Sequence, residues 1–284
     1  MKTVTITRLA ISPFSDPDLT GHADRRKPLR FLDSEWQQKR LNLFERFALS
    51  SIEAQVEKPD VWLIAIDYRV ESSVAPRLRE LLPDFAEIVV LAAEEDFIER
   101  TRKAIMSPEQ DVLTIRLDSD DMLAPSFIQL AKKFSRPNYA INFPHGVQVY
   151  LPEFSVTHRW INSNPTVGFR SLGSSLHVHN FGNHPNVGKI VRMVSIPTVR
   201  PMYLKSSHEN NHAPFQPNGF PVLRRKRILH RFWVTAPQEI SQSQSRLDIF
   251  LSHLGYRLNR IAPGLTKSIE RKREARKSLH LDSE

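Results

Sequence analysis

The fold is decided by the stretch Asp111-Val-Leu-Thr-Ile-Arg-Leu-Asp-Ser-Asp-Asp-Met-Leu-Ala-Pro125. Its first seven residues, 111–117, form a mostly apolar run of strand length, and its closing proline favours the first turn of a helix. Between these two signals, Asp118, Asp120 and Asp121 place three carboxylates within four positions. A strand that ends in acidic residues and leads into a helix predicts a ligand site at the carboxyl end of a sheet.

The chain on both sides of this stretch alternates between strand-like and helix-like patterns out to residue 150. The predicted strands cover residues 4–11, 61–66 and 87–93, and the predicted helices cover residues 34–51, 72–82 and 96–106. Ser34 is the expected N-cap of the first helix. This alternation predicts the α/β class, with a Rossmann-like, mostly parallel sheet flanked by helices. Asp67 follows the second strand, so another acid is expected at the same edge of the sheet.

The pattern loosens between residues 142 and 221, where Asn, His, Pro and Gly interrupt short apolar runs. No helices or strands are predicted there. In an enzyme such a region usually supplies loops and lids around the substrate. The alternative is a small irregular sheet packed against the first half.

The composition restricts the compartment and the kind of metal site. Of the 284 residues, 40% are apolar, which is enough for one substantial core. The chain has no cysteine, so a metal ion would be held by oxygen or imidazole ligands, which favours Mg²⁺ or Mn²⁺. No secretory signal and no membrane-spanning stretch is recognised, so a cytoplasmic protein is expected.

The positive charge is concentrated near the carboxyl terminus. The net charge is +9, and residues 222–284 hold 14 Lys and Arg against 6 Asp and Glu, a net of +8. The rest of the chain is close to neutral, so a nucleic-acid partner is not expected. We predict a basic, helical extension whose runs 223–234 and 267–277 attract an anionic surface, which allows peripheral contact with the inner membrane. Residues 243–258 have the apolar spacing of a helix that packs on the domain.

Three neighbouring carboxylates need a reason to be tolerated. Two like charges about 4 Å apart repel by roughly 4 kcal/mol at an effective dielectric of 20. A divalent cation shared with substrate phosphates is the simplest reason, because Mg²⁺ and Mn²⁺ prefer carboxylate oxygen. The alternative is a solvated turn in which Asp120 or Asp121 caps the helix that starts near Pro125. An EF-hand does not fit, since its glycine and distal glutamate are missing.

Several motifs of the first 150 residues resemble those of one family. They are Thr7-Arg8-Leu9, Trp36, Arg40 to Phe47, Ser50-Ser51-Ile52 with Gln55, Trp62-Leu63-Ile64 with Asp67, and Thr114-Ile115-Arg116-Leu117-Asp118-Ser119-Asp120-Asp121-Met122-Leu123. In these motifs the chain resembles the rhamnosyltransferases of bacterial polysaccharide assembly, which are inverting glycosyltransferases of the GT-A type. The resemblance implies a metal-dependent enzyme that moves a sugar from a nucleotide-diphosphate donor to a glycan or lipid-linked acceptor.

The resemblance also implies which residues bind the donor. Asp67 is expected near the base or ribose, and Asp118 near the ribose. Arg8 and Arg116 lie within the matching motifs and are expected to contribute to the same donor site.

The metal site implied by the resemblance centres on Asp120, with Asp121 assisting the metal or positioning the sugar. Enzymes of the GT-A type often add a late histidine to the metal ligands. His208 is the first choice here and His212 the second, because neutral imidazole suits Mn²⁺.

The catalytic base is the least defined part of the predicted site. Inversion needs a carboxylate or imidazole within hydrogen-bond reach of the acceptor hydroxyl. Glu153 and His179 are the chosen candidates, with His177 and His184 also available, and the sequence does not single out any of them.

These observations predict one GT-A domain over residues 1–221, followed by the basic tail. Residues 1–141 are expected to form the nucleotide-sugar-binding half and residues 142–221 the acceptor-side half. Two other functions remain open. A nucleotidyltransferase would also need clustered acids and a metal, but usually shows a Gly-rich phosphate loop near the first strand. A membrane- or nucleic-acid-binding scaffold would lose its binding on deletion of residues 222–284.

Overall fold

The computed structural model describes most of the first 208 residues and one short turn beyond them. The described residues are 1–12, 30–92, 96–105, 111–151, 155–160, 167–173, 175–181, 184–208 and 229–232. The strands are β1 (Lys2–Ala10), β2 (Val61–Asp67), β3 (Ala86–Leu91), β4 (Val112–Arg116), β5 (Met122–Leu123), β6 (Tyr139–Asn142), β7 (His145–Tyr150), β8 (Ser155–Trp160), β9 (Gly168–Ser171), β10 (Met193–Ser195) and β11 (Tyr203–Ser207). The α-helices are α1 (Ser34–Phe44), α2 (Ser50–Glu53), α3 (Glu71–Leu81), α4 (Phe97–Ile105), α5 (Phe127–Phe134) and α6 (His184–Ile190).

The main sheet has seven strands in the order β10-β6-β9-β4-β1-β2-β3. Strand β1 pairs in parallel with β2 and β4, and β2 pairs in parallel with β3. Strand β9 is antiparallel to both of its neighbours, β4 and β6. The predicted mostly parallel sheet is therefore confirmed, and the carboxyl ends of β1, β2 and β4 lie at one edge.

Strand β2 shows why this sheet is buried on both faces. Trp62 and Ile64 belong to a larger core with helices α1, α3 and α5, whereas Leu63 and Ala65 belong to a smaller core with α4 and α6. Since alternate residues of a strand point to opposite faces, one continuous apolar run serves both helix layers. The flanking helices predicted from the sequence are thus confirmed.

Helix α1 positions one side of the candidate site. Its N-cap is Asp33, whose Oδ1 accepts a hydrogen bond from Trp36 N at 2.7 Å, so the prediction of Ser34 as the cap is wrong by one residue. Ser34 is already the first helical residue, and aspartate is one of the preferred N-cap residues. Phe44 stacks on Trp62 with 5.3 Å between ring centroids, and this fixes the helix against the sheet. The helix continues through a π-helical turn into α2.

The second half contains more regular structure than the sequence predicted. A four-stranded sheet with the order β5-β11-β7-β8 packs against the first half, since Val147 and Val149 lie in the larger core. The missed signal is the alternation of apolar residues along β7. Gly146 faces the ring of Tyr203 on β11, and a Cβ atom at Gly146 would lie 2.2 Å from Tyr203 Cζ. This strand pairing therefore requires glycine.

The segment predicted as the tail is described only at residues 229–232. Leu229 and Phe232 are buried in the larger core, and Phe232 N donates to Leu229 O at 2.9 Å. The predicted helical character of residues 222–284 and the packing of 243–258 otherwise lie outside the described residues. Among the described helices, none has the length and apolar character needed to cross a membrane.

Candidate active site

The acidic turn, residues 118–121, lies where the two sheets meet. Asp121 N donates to Asp118 O at 3.0 Å, which closes the turn. The Asp121 carboxylate accepts from Ser206 N on β11 at 2.9 Å. The alternative that this turn caps a helix is wrong, because α5 has Ser126 as its N-cap residue and Asp121 is bound to a strand.

Asp120 and Asp121 are both buried, but their surroundings shift their acidity in opposite directions. Burial raises the pKa of Asp121 well above its usual range, and the negative charges of Asp120 and Asp118 add to this rise. Burial acts in the same direction on Asp120, but the charge of Arg40 and the hydrogen bond from His208 outweigh it and lower the pKa of that carboxyl to about 2. Asp120 is therefore the carboxylate held in its charged form.

Asp120 and His208 form the central contact of the site. His208 Nε2 lies 2.9 Å from Asp120 Oδ2, and both side chains are largely buried. His208 follows the last residue of β11, so the pairing of β11 with β5 and β7 brings it to the turn. The structure thus brings together a predicted metal-binding acid and the predicted late histidine. The second choice, His212, lies outside the described residues.

The Asp120–His208 pair has a spacing that suits a small divalent ion. Adjacent ligands of an octahedral ion with bonds of about 2.1 Å are about 3 Å apart, close to the observed separation. Among the residues that the structure describes, no group of three or more His, Asp or Glu side chains is placed to hold a metal ion. A site with two protein ligands still fits Mg²⁺ or Mn²⁺, which commonly keep several waters and share substrate phosphates.

Arg40 is a member of the site that the sequence did not identify. Its Nη1 donates to Asp120 Oδ2 at 3.1 Å, across 80 positions of the chain. The ring of Trp36 lies 5.8 Å from its guanidinium carbon. A usable signal was present, because Arg40 precedes the buried residue Leu41 and falls one helical turn before Phe44. Arginines that become mostly buried are usually paired with an acid, so this position favours an acidic partner without identifying it.

Asp118 is held between two arginines from neighbouring strands. Arg8 Nη2 lies 3.2 Å from Asp118 Oδ1, and Arg116 Nε lies 3.4 Å from the same oxygen. The parallel register, which pairs Ile6 with Arg116, sets this arrangement. Three residues predicted to bind the donor are therefore close together, and the Asp118 side chain retains 24% exposure.

Asp67 lies at the carboxyl end of β2, as predicted, but its carboxylate is engaged locally. Arg69 Nε and Nη2 donate to its two oxygens at 2.8 and 2.9 Å, and Arg69 N donates at 3.0 Å. The hydrogen bond to Asp67 raises the pKa of Arg69. The guanidinium carbon of Arg69 also lies 4.8 Å from the ring centroid of Phe31. The donor-binding role of Asp67 stays a prediction, with Arg69 as the group through which it would act.

The predicted catalytic bases are not assembled at the acidic turn by the described part of the chain. His179 is 1% exposed, and its ring meets Phe97 edge-on at 5.0 Å in the smaller core. His177 Nε2 lies 3.0 Å from Ile98 O, and burial lowers the pKa of His177 to about 4. His184 begins α6. Glu153 lies outside the described residues, so its role stays a prediction.

Comparison with known protein families shows the family to which the chain belongs. The model of the family described as "Putative rhamnosyl transferase" matches residues 9–219. The chain belongs to this family, which confirms the resemblance seen in the sequence motifs. Together with the mostly parallel sheet and its flanking helices, this confirms the predicted fold class. No curated protein matches the sequence of this chain.

Several solved structures are similar at low sequence identity. S. aureus TarS 1-349 is 12% identical with a TM-score of 0.39, over 72% of this chain and 60% of that one. Its complex with UDP-GlcNAc is 12% identical with a TM-score of 0.37, over 76% and 62%. The inositol-1-phosphate CTP transferase from T. maritima is 10% identical with a TM-score of 0.37, over 72% and 89%. The chain thus spans 60% of the length of the TarS fragment.

Proposed function

We propose that this chain is a metal-dependent glycosyltransferase of the GT-A type. It moves a sugar, rhamnose by the family's description, from a nucleotide-diphosphate donor to a glycan or lipid-linked acceptor in surface polysaccharide synthesis, with inversion. The observation that carries the proposal is the meeting of Asp120 and His208 at the carboxyl edge of the sheet. Ligands of open α/β sheets bind at this edge.

The donor ribose would be bound by Asp118. Arg8 and Arg116 hold this carboxylate in one orientation and balance its charge. Since the Asp118 side chain is partly exposed, its oxygens can accept hydrogen bonds from ribose hydroxyls. Both arginines then remain near the diphosphate, whose negative charge grows as the sugar departs.

The metal ion, Mn²⁺ or Mg²⁺, would be held by Asp120 and His208. When bound, it neutralises the departing nucleoside diphosphate. Asp121 keeps the acidic turn attached to β11 through Ser206 N, so that Asp120 and His208 stay in register. The predicted assistance of Asp121 to the metal would therefore be indirect.

Of the two predicted bases, Glu153 is the better proposal. A base must touch the acceptor hydroxyl whose proton it removes. His179 is buried against Phe97, which closes it to an acceptor. Glu153 lies two positions after Leu151, the residue that follows β7, and β7 pairs with the strand that places His208.

The basic runs of the tail would bring the enzyme to a lipid-linked acceptor at the inner membrane.

The test is calorimetric titration of the full chain with UDP, GDP and dTDP, each with and without Mn²⁺. We expect one nucleotide to bind in a Mn²⁺-dependent manner, and Asp120→Asn to remove that binding. Asp84→Asn is the matched control, since it neutralises an exposed carboxylate in the turn before β3. If no nucleotide binds under either condition, the proposed function is wrong and the basic tail becomes the region to study.

A further inference from the structure

Arg40 and His208 share one oxygen atom of Asp120. Arg40 Nη1 lies 3.1 Å from Oδ2, and His208 Nε2 lies 2.9 Å from the same atom. A carboxylate oxygen offers about two lone-pair positions, and here both are used. A cation held between Asp120 and His208 would take the lone pair that His208 now uses and would lie beside the guanidinium. It repels the guanidinium by like charge, so Arg40 would move away.

The displaced guanidinium could move only a short distance. Helix α1 is anchored by Leu41 and Phe44, which are buried in the larger core, so the Arg40 backbone is fixed. The Arg40 side chain is 21% exposed, so part of it already contacts solvent. Its buried Nε has no hydrogen-bond partner among the described residues. Arg40 thus has donors available for an additional acceptor.

We propose that Arg40 is a binding residue for the diphosphate of the donor and that it exchanges Asp120 for phosphate oxygens when donor and metal enter. This inference rests on the proposed function. Guanidinium groups bind phosphate oxygens in a bidentate manner, so the diphosphate supplies the acceptors that replace Asp120. In the nucleotide-free protein Arg40 keeps the metal ion away from Asp120. In the complex, Arg40 and the metal ion both stabilise the diphosphate.

This exchange gives Arg40→Gln two effects of opposite sign. Without nucleotide, the variant should bind Mn²⁺ several-fold more tightly than the wild type, because no guanidinium occupies Asp120. With saturating Mn²⁺, it should bind the preferred nucleoside diphosphate about tenfold more weakly, because a charged hydrogen bond is lost. Mn²⁺ binding is followed by electron paramagnetic resonance of the free ion, and nucleotide binding by calorimetry.

The controls separate this role from a structural one. Lys39→Gln removes the neighbouring cation of α1, whose side chain is 51% exposed, and should change neither affinity. Arg40→Lys keeps the charge without the bidentate geometry, and should fall between wild type and Arg40→Gln. It also serves as the test variant if Arg40→Gln does not fold.

The outcomes distinguish the inference from the proposed function. If the wild type binds a nucleotide but Arg40→Gln binds it equally well, or if both affinities fall together, the inference is wrong and the proposed function stands. If the wild type binds no nucleotide at all, both are wrong.

Discussion

The acidic turn, residues 118–121, and the histidine turn, residues 175–181, both hold buried ionisable groups, but they satisfy them differently. The acids are met by charged groups from distant elements: Arg8 on β1, Arg40 on α1 and His208 after β11. His177 instead lies near a carbonyl and a hydroxyl of α4, in an apolar core. Converging opposite charges therefore mark the site, whereas burial of an ionisable group alone does not.

The largest effect should come from exchanging His208, which contacts the acidic turn, for glutamine, in comparison with the same exchange at His179 of the histidine turn. His208→Gln should lower the affinity for Mn²⁺ in the presence of nucleotide about 10- to 100-fold, because it removes a proposed ligand. His179→Gln should leave that affinity unchanged, since His179 packs against Phe97. Metal titration followed by paramagnetic resonance measures both. If both variants lower the affinity for Mn²⁺ equally, the two histidines do not differ in their role.

The next effect is a loss of stability below neutral pH that comes from the histidine turn. Burial lowers the pKa of His177 to about 4, so the unfolded chain, with a usual histidine pKa near 6.5, binds the proton first. Stability from this group is complete above about pH 6.5 and decreases as the pH falls towards 4, by at most about 3 kcal/mol. Urea unfolding between pH 7 and 4.5 measures the loss, which should shrink in His177→Gln. An unchanged pH profile in that variant would show that another group is responsible.

A smaller effect should separate the structural role of Asp121 from the metal-binding role proposed for Asp120. Asp121→Ala leaves Ser206 N without its acceptor and should reduce the free energy of unfolding by about 2 kcal/mol. Asp121→Asn keeps a neutral acceptor and should cost less than half of that. Urea unfolding near pH 7 measures both variants. If Asp121→Asn lowers the free energy of unfolding as much as Asp121→Ala does, the negative charge of Asp121 is itself needed for stability.

The smallest effect is expected at Asp67, whose basic partner, Arg69, lies only two residues along the chain. Asp67→Ala removes the acceptor of Arg69 N and its ion pair, and should cost about 1 kcal/mol, because the Arg69 side chain is one-third exposed and can turn to water. Arg69→Gln is the matched variant and should cost at least as much, because it leaves the buried Asp67 carboxylate without its counter-charge. Urea unfolding near pH 7 measures both variants. If Asp67→Ala lowers the free energy of unfolding as much as Asp121→Ala does, Asp67 is as important for stability as the acid of the acidic turn.

The first half of the fold could be predicted because its signals are local. The continuous apolar run of β2 and its terminal acid, Asp67, can be read without knowing what they contact. The Arg40–Asp120 contact could not be read, because its partners are 80 positions apart and meet only after β4 and α1 pack. Strand β11 was missed for a related reason. It is a strand because β5 and β7 pair with it, and that pairing depends on Gly146 making room for Tyr203.

If the Asp120–His208 pair serves sugar transfer, the protein should release a nucleoside diphosphate from its donor in a metal-dependent reaction. The full chain would be incubated with UDP-, GDP- and dTDP-linked hexoses and deoxyhexoses and a bacterial lipid-linked glycan extract, with and without Mn²⁺. We expect Mn²⁺-dependent consumption of one donor, and a rate at least about 100-fold lower in Asp120→Asn. Turnover at the wild-type rate in Asp120→Asn, or no turnover of any donor by the wild type, would contradict it.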